Sequence, residues 1–289
     1  MVKAIDIHIH PPGPEVQPES DEERRAREAR RRPGQMATHR MTAEELAEYY
    51  AKLDMMAVLL PMDTESATGQ PPMPNSYVAE LVERYPDQFI GFGAVDPRKG
   101  KVAVQQLDEV ADLGLKGLKF HSGQGAFFAN DRSFYPLWER CQELGLITLF
   151  HTGTTGVGAM QPGGGGIKLE HMKPVPYIDD VAADFPELTV ILAHPSFPWA
   201  YEGLAMLIHK ANVYMDLSGW APVYFDPLVV EYAKTIAQDK MLYGSDWPAL
   251  SPERWVSEFD AYEVPEPAYT KIMRGNAARL LGFDDVVGD

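Results

Sequence analysis

Eight short apolar runs recur along the chain: AIDIHIH (4–10), MAVLLPM (56–62), FIGFGAV (89–95), LKGLKFH (115–121), LITLFHTG (146–153), TVILAHP (189–195), VYMDLSG (213–219) and KMLYGSDWP (240–248). Both faces of such runs are apolar, the pattern of parallel strands covered on two sides. Between them the apolar spacing becomes helical. The stretches are 42–55, 75–86, 101–114, 131–145, 177–187, 199–210, 226–239 and 251–262, and a last one over 267–282 follows. Thr42 with Glu45 three residues later reads as the capped start of the first helix. Strand and helix alternate eight times, which predicts an α/β chain folded as a (β/α)8 TIM barrel with a C-terminal helix. The expectation is one domain over residues 1–289.

Two connections are long, residues 11–41 after the first strand and 153–173 after the fifth. Both leave the C-terminal ends of strands, where barrel enzymes assemble their sites. The second carries GTTGVGAMQPGGGG, which reads either as a flexible linker or as a lid over substrate.

Composition narrows the function classes. Hydrophobic residues make up 45% of the 289, enough for a sizeable core. The formal net charge is −16, so a nucleic-acid partner is not expected. The basic run Arg27–Arg32 follows the acidic ESDEE, and the two read as one solvated, salt-bridged helix. No apolar run approaches the roughly 18 residues that cross a bilayer, so no membrane partner is expected. The one cysteine, Cys141, forms no internal disulfide, and with no signal-peptide pattern the expected compartment is the cytoplasm.

The polar residues at the strand ends carry the chemistry. Residues i and i+2 of a strand share a side, so Asp6, His8 and His10 are expected on one face. Burying two imidazoles costs free energy unless they are paired or liganded. Strand five ends in His151, strand six in His194 and strand eight in Asp246. Four strands ending in ligand-type residues point to a metal site on one rim. On strand four, Lys119 and His121 share a face and read as a metal bridge, a contact for a substrate carboxylate or carbonyl, or a structural pair. Arg40, on the first long loop beside His39, is either a carboxylate clamp or solvated. Trp199 and Trp247 follow strands six and eight, and read as core and rim filling or as the wall of a pocket for a flat substrate. Asp216, two residues before Ser218, reads as a group that orients a ligand from behind.

DIHIHPP, the His of FHTG, the His of LAHPSFPW and the Asp of LYGSDWP resemble the amidohydrolase superfamily over essentially the whole chain. The closer resemblance is to its amidohydrolase-related branch, which includes aminocarboxymuconate-semialdehyde decarboxylase. It implies that His8, His10, His151 and Asp246 hold one divalent metal ion and that His194 polarises substrate or transfers a proton. Three neutral histidines and one carboxylate leave a position open for water, whose pKa a metal lowers. This donor set favours zinc, and manganese or iron(II) also fits. The resemblance further implies a homodimer acting on a small molecule.

Two reactions fit these residues. The first is hydrolysis of a small carbonyl, ester or thioester substrate by a metal-activated water, with His194 and Asp246 catalytic. The alternative is a carbon–carbon lyase, decarboxylating an aromatic or muconate-type acid. Arg40 and Lys119 are the cations offered for a substrate carboxylate, and neither is compelling from its position, which tips the reading towards hydrolysis. A third reading is a catalytically inactive binding barrel.

Overall fold

The computed structural model describes residues 2–18, 20, 22, 23, 25 and 40–283. The Arg27–Arg32 run and His39 lie outside the described residues. The first four units are β1 (Ala4–Ile9) and α1 (Ala43–Leu53), β2 (Met55–Leu59) and α2 (Asn75–Arg84), β3 (Phe89–Gly91) and α3 (Lys101–Asp112), and β4 (Gly117–Phe120) and α4 (Tyr135–Glu143). The next four are β5 (Ile147–His151) and α5 (Tyr177–Asp184), β6 (Val190–Ala193) and α6 (Ala200–His209), β7 (Val213–Asp216) and α7 (Pro227–Lys234), and β8 (Met241–Leu242) and α8 (Pro252–Asp260). A final helix, α9 (Asn276–Leu281), follows a π-helical turn at Lys271–Gly275.

All strand pairs are parallel and follow chain order, β1-β2-β3 and β4 through β8. The two sheets meet on both sides, through a bridge between Gly93 and Leu118 and another between Ile9 and Trp247. This is the (β/α)8 barrel that the eight apolar runs predict. The last strand is short for a local reason. The Tyr243 amide donates to Ile272 O on the C-terminal helical segment, and not to a neighbouring strand.

Two apolar layers hold the ring together. Inside it, Ile5, Ile7, Val58, Ile90, Phe92, Ile147, Leu149, Ile191 and Leu242 fill the barrel, and Ala277, Ala278 and Leu281 of α9 pack against them. Outside it, Leu59, Leu118, Phe120, Phe150, Leu192 and Met215 face the helices. The full capping box forms at Thr42 and Glu45. Thr42→Ala is expected to lower stability by about 1 kcal/mol, read as a drop in the urea midpoint with an unchanged slope.

The first strand departs from simple alternation. Ile5 and Ile7 belong to the inner layer, whereas Ala4 and Ile9 belong to the outer one. Between Asp6 and Ile9 the pairing with β2 slips, three residues of β1 spanning two of β2. This bulge corrects the expectation that Asp6 shares a face with His8 and His10. Asp6 turns to the helix side, where it accepts hydrogen bonds from Tyr50 Oη on α1 and the Ser245 amide, both at 2.9 Å. Its burial pushes its carboxyl up to about 7. The extra residue turns His8 inward at the height of the strand ends.

The connection after β5 contains short 3-10 turns at Pro162–Gly166 and Leu169–Met172. Gly163 to Gly166 all have positive φ, from 61° to 84°. Four successive residues in that region require glycine, which accounts for the run without invoking an unstructured linker.

Candidate active site

The strand ends meet over a cavity of about 310 Å³ lined by His10, Lys119, His121, His151, His194 and Asp246, with Met62, Thr155, Gly156, Val157, Pro248 and Ala249 as its walls. His8 lies against this floor, its Nε2 3.1 Å from Lys119 Nζ and 3.4 Å from Asp246 Oδ1. Lys119 is 2% exposed, so its ammonium is held inside the barrel. One ligand atom each from His8, His194 and Asp246 lies within 4.8 Å of the other two. His10 reaches this group through Nε2, 3.2 Å from Asp246 Oδ1, and His151 through Nδ1, 3.2 Å from His194 Nε2.

Backbone geometry aims two of these side chains. His194 and Asp246 have φ of 71° and 64°, in the left-handed region that non-glycine residues avoid. Such a conformation costs about 1–3 kcal/mol and persists only where surrounding contacts enforce it. Here the His194 amide donates to Asp216 Oδ1 at 3.0 Å, and the Asp246 amide to His8 O at 2.9 Å.

Asp216 organises the centre from behind. Its Oδ2 accepts from His8 Nδ1 at 2.8 Å, and its Oδ1 accepts from the amides of His194 and Ser218 and from the Ser218 hydroxyl. Burial pushes this carboxyl up, but the charges and hydrogen bonds of His8, followed by His194 and Lys119, outweigh it and hold Asp216 below the usual range. Because the Ser218 hydroxyl donates to Asp216, it accepts from His194 Nδ1 at 2.8 Å.

These partners assign the tautomers. His8 donates from Nδ1 to Asp216, His10 from Nδ1 to Leu60 O, His194 from Nδ1 to Ser218 and His151 from Nε2 to Thr154 O. Each imidazole then turns a lone pair inward. Two of those lone pairs face Asp246 Oδ1 and two face each other, all within 3.4 Å. The Lys119 ammonium donates to His8 Nε2 at 3.1 Å, and no proton relieves the other contacts. Burial, then the Lys119 charge, pulls His8 down to about 3, and burial carries His151 well below its ordinary value and lowers His194. Buried acceptors facing acceptors are costly. Four imidazole lone pairs and a carboxylate are the donor chemistry of a divalent cation, and the residues fit one.

His121 stacks on His151 with ring centroids 4.0 Å apart at 10°, and burial lowers it to about 3. Gly219 lies beside the same assembly. At φ 74° it has left-handed geometry, and a Cβ there would stand 2.3 Å from His194 Nδ1. Gly219→Ala is expected to cost about 1–3 kcal/mol of stability and to displace the His194 ring, with turnover falling more than the melting temperature implies. Thermal melts and steady-state rates on one preparation check this.

Three expected site residues stand elsewhere. Trp247 is 2% exposed and packs in the outer core between strands and helices, because the left-handed turn at Asp246 sends the next side chain outward. Trp199 caps the start of α6, and Arg40 is exposed. None of the three lines the cavity. Thr155, Met62, Pro248 and Ala249 line it too; Met62 and Pro248 close apolar runs but carry no metal-ligand chemistry, and Thr155 and Ala249 lie beyond the runs, so nothing marks the four in the sequence.

A family model described as Amidohydrolase matches residues 5–283. The chain belongs to the amidohydrolase family. A 2-amino-3-carboxymuconate-6-semialdehyde decarboxylase from Dictyostelium discoideum is 25% identical to this family member over 240 residues, 73% of this chain and 66% of that one. The chain thus spans just under two thirds of that relative's length. A gamma-resorcylate decarboxylase from Rhizobium radiobacter is 22% identical over 291 residues, 84% of this chain and 85% of that one. A TIM-barrel protein from Bordetella bronchiseptica has a TM-score of 0.76 at 24% identity, over 98% of this chain and 99% of that one. A manganese-bound 5-carboxyvanillate decarboxylase from Novosphingobium aromaticivorans has a TM-score of 0.67 at 16% identity, over 97% of both chains. The structural likenesses establish the amidohydrolase barrel fold. The named relatives favour the decarboxylase alternative over hydrolysis, for which they give no specific support. No helix among the described residues is long and apolar enough to cross a membrane.

Proposed function

We propose that this chain is a metal-dependent decarboxylase, a carbon–carbon lyase acting on an aromatic or muconate-type carboxylic acid. The observation that carries the reading is Lys119, a buried cation in the same cavity as the histidine–aspartate centre. A cationic pocket is the feature the sequence left uncompelling, and Lys119 supplies it where Arg40 does not. The names of the two relatives support the same reaction class.

One divalent ion would be held by His8, His10, His151 and Asp246, with His194 beside it, and would supply Lewis acidity towards a substrate oxygen. Zinc suits the nitrogen-rich donors, and manganese is the ion in the Novosphingobium structure. Lys119 draws the acid into the cavity and orients it. Met62, Val157, Pro248 and Ala249 pack against the flat carbon skeleton and exclude water, which favours uncharged carbon dioxide over a carboxylate. As the carbon–carbon bond breaks, its electron pair stays on the skeleton, and Asp246, after taking a proton from a substrate hydroxyl or solvent water, passes it to the carbon that loses the group. His194, held at Nδ1 by Ser218, keeps Nε2 turned to the centre and stabilises charge that develops on a substrate oxygen. The formal charge of −16 supports a small-molecule partner over nucleic acid.

The test is a screen of the metal-loaded protein against 2,6-dihydroxybenzoate, other hydroxylated benzoates and muconate-type acids, with small esters and thioesters alongside. Stoichiometric carbon dioxide release, without incorporation of solvent oxygen, is the expected result. Turnover of esters or thioesters alone would overturn the reading in favour of hydrolysis.

A further inference from the structure

The wall residue Thr155 has a hydrogen-bond inventory that its neighbours fix completely. His121 Nδ1 accepts from the Gln124 amide at 3.1 Å, because His121 caps the short helical turn Ser122–Gly125. A backbone amide can only donate, so the His121 proton resides on Nε2. That nitrogen faces Thr155 Oγ1 at 3.1 Å and donates to it. The Val157 amide donates to the same oxygen, also at 3.1 Å. A hydroxyl has two lone pairs and one proton. Both Thr155 lone pairs are taken, so its proton is left to donate. Among the described residues, no acceptor hydrogen-bonds to it, and Thr155 lines the cavity.

We infer that Thr155 is a specificity-determining hydrogen-bond donor, which selects acids carrying an acceptor oxygen beside the carboxylate and rejects those that present an N–H there. The inference rests on the reading that this cavity binds a carboxylic acid. A hydroxyl free to rotate would serve donors and acceptors alike. This one is committed, because turning it to accept would break a bond to His121 or to Val157. The selection is therefore built into the loop after β5, and that loop is tied to strand four through His121.

Two probes of nearly equal shape separate the cases. In 2-hydroxybenzoate the hydroxyl proton is held by the molecule's own carboxylate, so the oxygen turns lone pairs outward. In 2-aminobenzoate the second amino proton points outward, and a donor meets a donor. Calorimetric titration of the metal-loaded wild type should give about tenfold tighter binding of the hydroxy acid, the effect of about one hydrogen bond. In Thr155→Val the ratio should fall to about twofold or less, and Thr155→Ser should restore it. Thr155→Ala serves if the valine variant does not fold. A purely structural role for Thr155 would weaken both acids equally and leave the ratio unchanged.

A ratio that survives in Thr155→Val, or a wild type with no preference, including one that binds neither acid, overturns the inference. Carbon dioxide release is measured separately on the same preparations. Selective, Thr155-dependent binding with no release from any acid of the screen above retains this inference and removes the proposed reaction. Release with Thr155-independent binding does the reverse.

Discussion

Asp246→Asn is expected to lower metal affinity by at least about a hundredfold and to abolish detectable turnover while the barrel stays folded. The asparagine variant is the informative one because Asp246 sits at φ 64°, a conformation that asparagine tolerates and most other residues do not. The backbone therefore loses nothing. What changes is the charge opposite His8 Nε2 and His10 Nε2, which stand 3.4 and 3.2 Å from Asp246 Oδ1. In the wild type those lone pairs and the carboxylate converge, and a divalent cation turns their repulsion into attraction. With a neutral amide the full negative charge is gone, and the amide nitrogen can donate to one of the imidazoles, taking a ligand atom out of play. The contrast shows in two measurements. Added zinc or manganese should raise the melting temperature of the wild type by mass action and leave that of the variant nearly unmoved. Elemental analysis should find close to one equivalent of metal in the wild type and little in the variant. Full metal content together with full turnover in Asp246→Asn would falsify the assignment of the centre.

Much of the architecture was legible because parallel strands are buried on both faces and announce themselves as uninterrupted apolar runs. All eight runs contain a strand, and the residues that close them, His10, His151, His194 and Asp246, do reach one cavity. The reading failed where a local irregularity changes a side chain's direction. The bulge in β1 sends Asp6 to the helix side, and nothing in AIDIHIH marks it, because the slip is defined by the partner strand. The left-handed turn at Asp246 carries Trp247 into the outer core. Proximity along the chain therefore misplaced both residues. The reading tipped towards hydrolysis, where the named relatives favour the decarboxylase alternative, for a different reason. Hydrolysis and decarboxylation use the same strand-end residues, and the reading turned on whether a cation stands ready for a substrate carboxylate. From sequence alone, neither Lys119 on a strand nor Arg40 on a loop is compelling. Tertiary packing distinguishes them, with Lys119 at 2% exposure beside His8 and Arg40 on the surface. Thr155 was invisible because both bonds that commit its hydroxyl involve the folded loop or strand four.

Asp216→Asn tests the layer behind the centre. The wild-type carboxylate uses its two oxygens differently. Oδ1 accepts the His194 amide, the Ser218 amide and the Ser218 hydroxyl, whereas Oδ2 accepts only His8 Nδ1 among the charged and ring groups. The three donors on Oδ1 demand an acceptor, so the asparagine carbonyl takes that place and its amide nitrogen replaces Oδ2. Two donors then meet at 2.8 Å, the asparagine N–H and the His8 Nδ1–H. One relief is a change of tautomer, which gives up the 3.0 Å contact of His8 Nδ1 with Ser218 Oγ and turns Nε2–H towards the Lys119 ammonium. His8 accepts at Nδ1 and moves its proton to Nε2, the nitrogen that faces Asp246 and Lys119. A protonated Nε2 is no longer a metal ligand, so the substitution disables a residue it leaves structurally in place. Metal affinity and turnover are expected to fall by about 10–100-fold. Nitrogen NMR of the histidine rings checks the cause directly, with the metal-free wild type showing His8 protonated at Nδ1 and the variant at Nε2. If the His8 tautomer is unchanged while metal affinity still falls, Asp216 acts through its charge and not by setting the proton on His8.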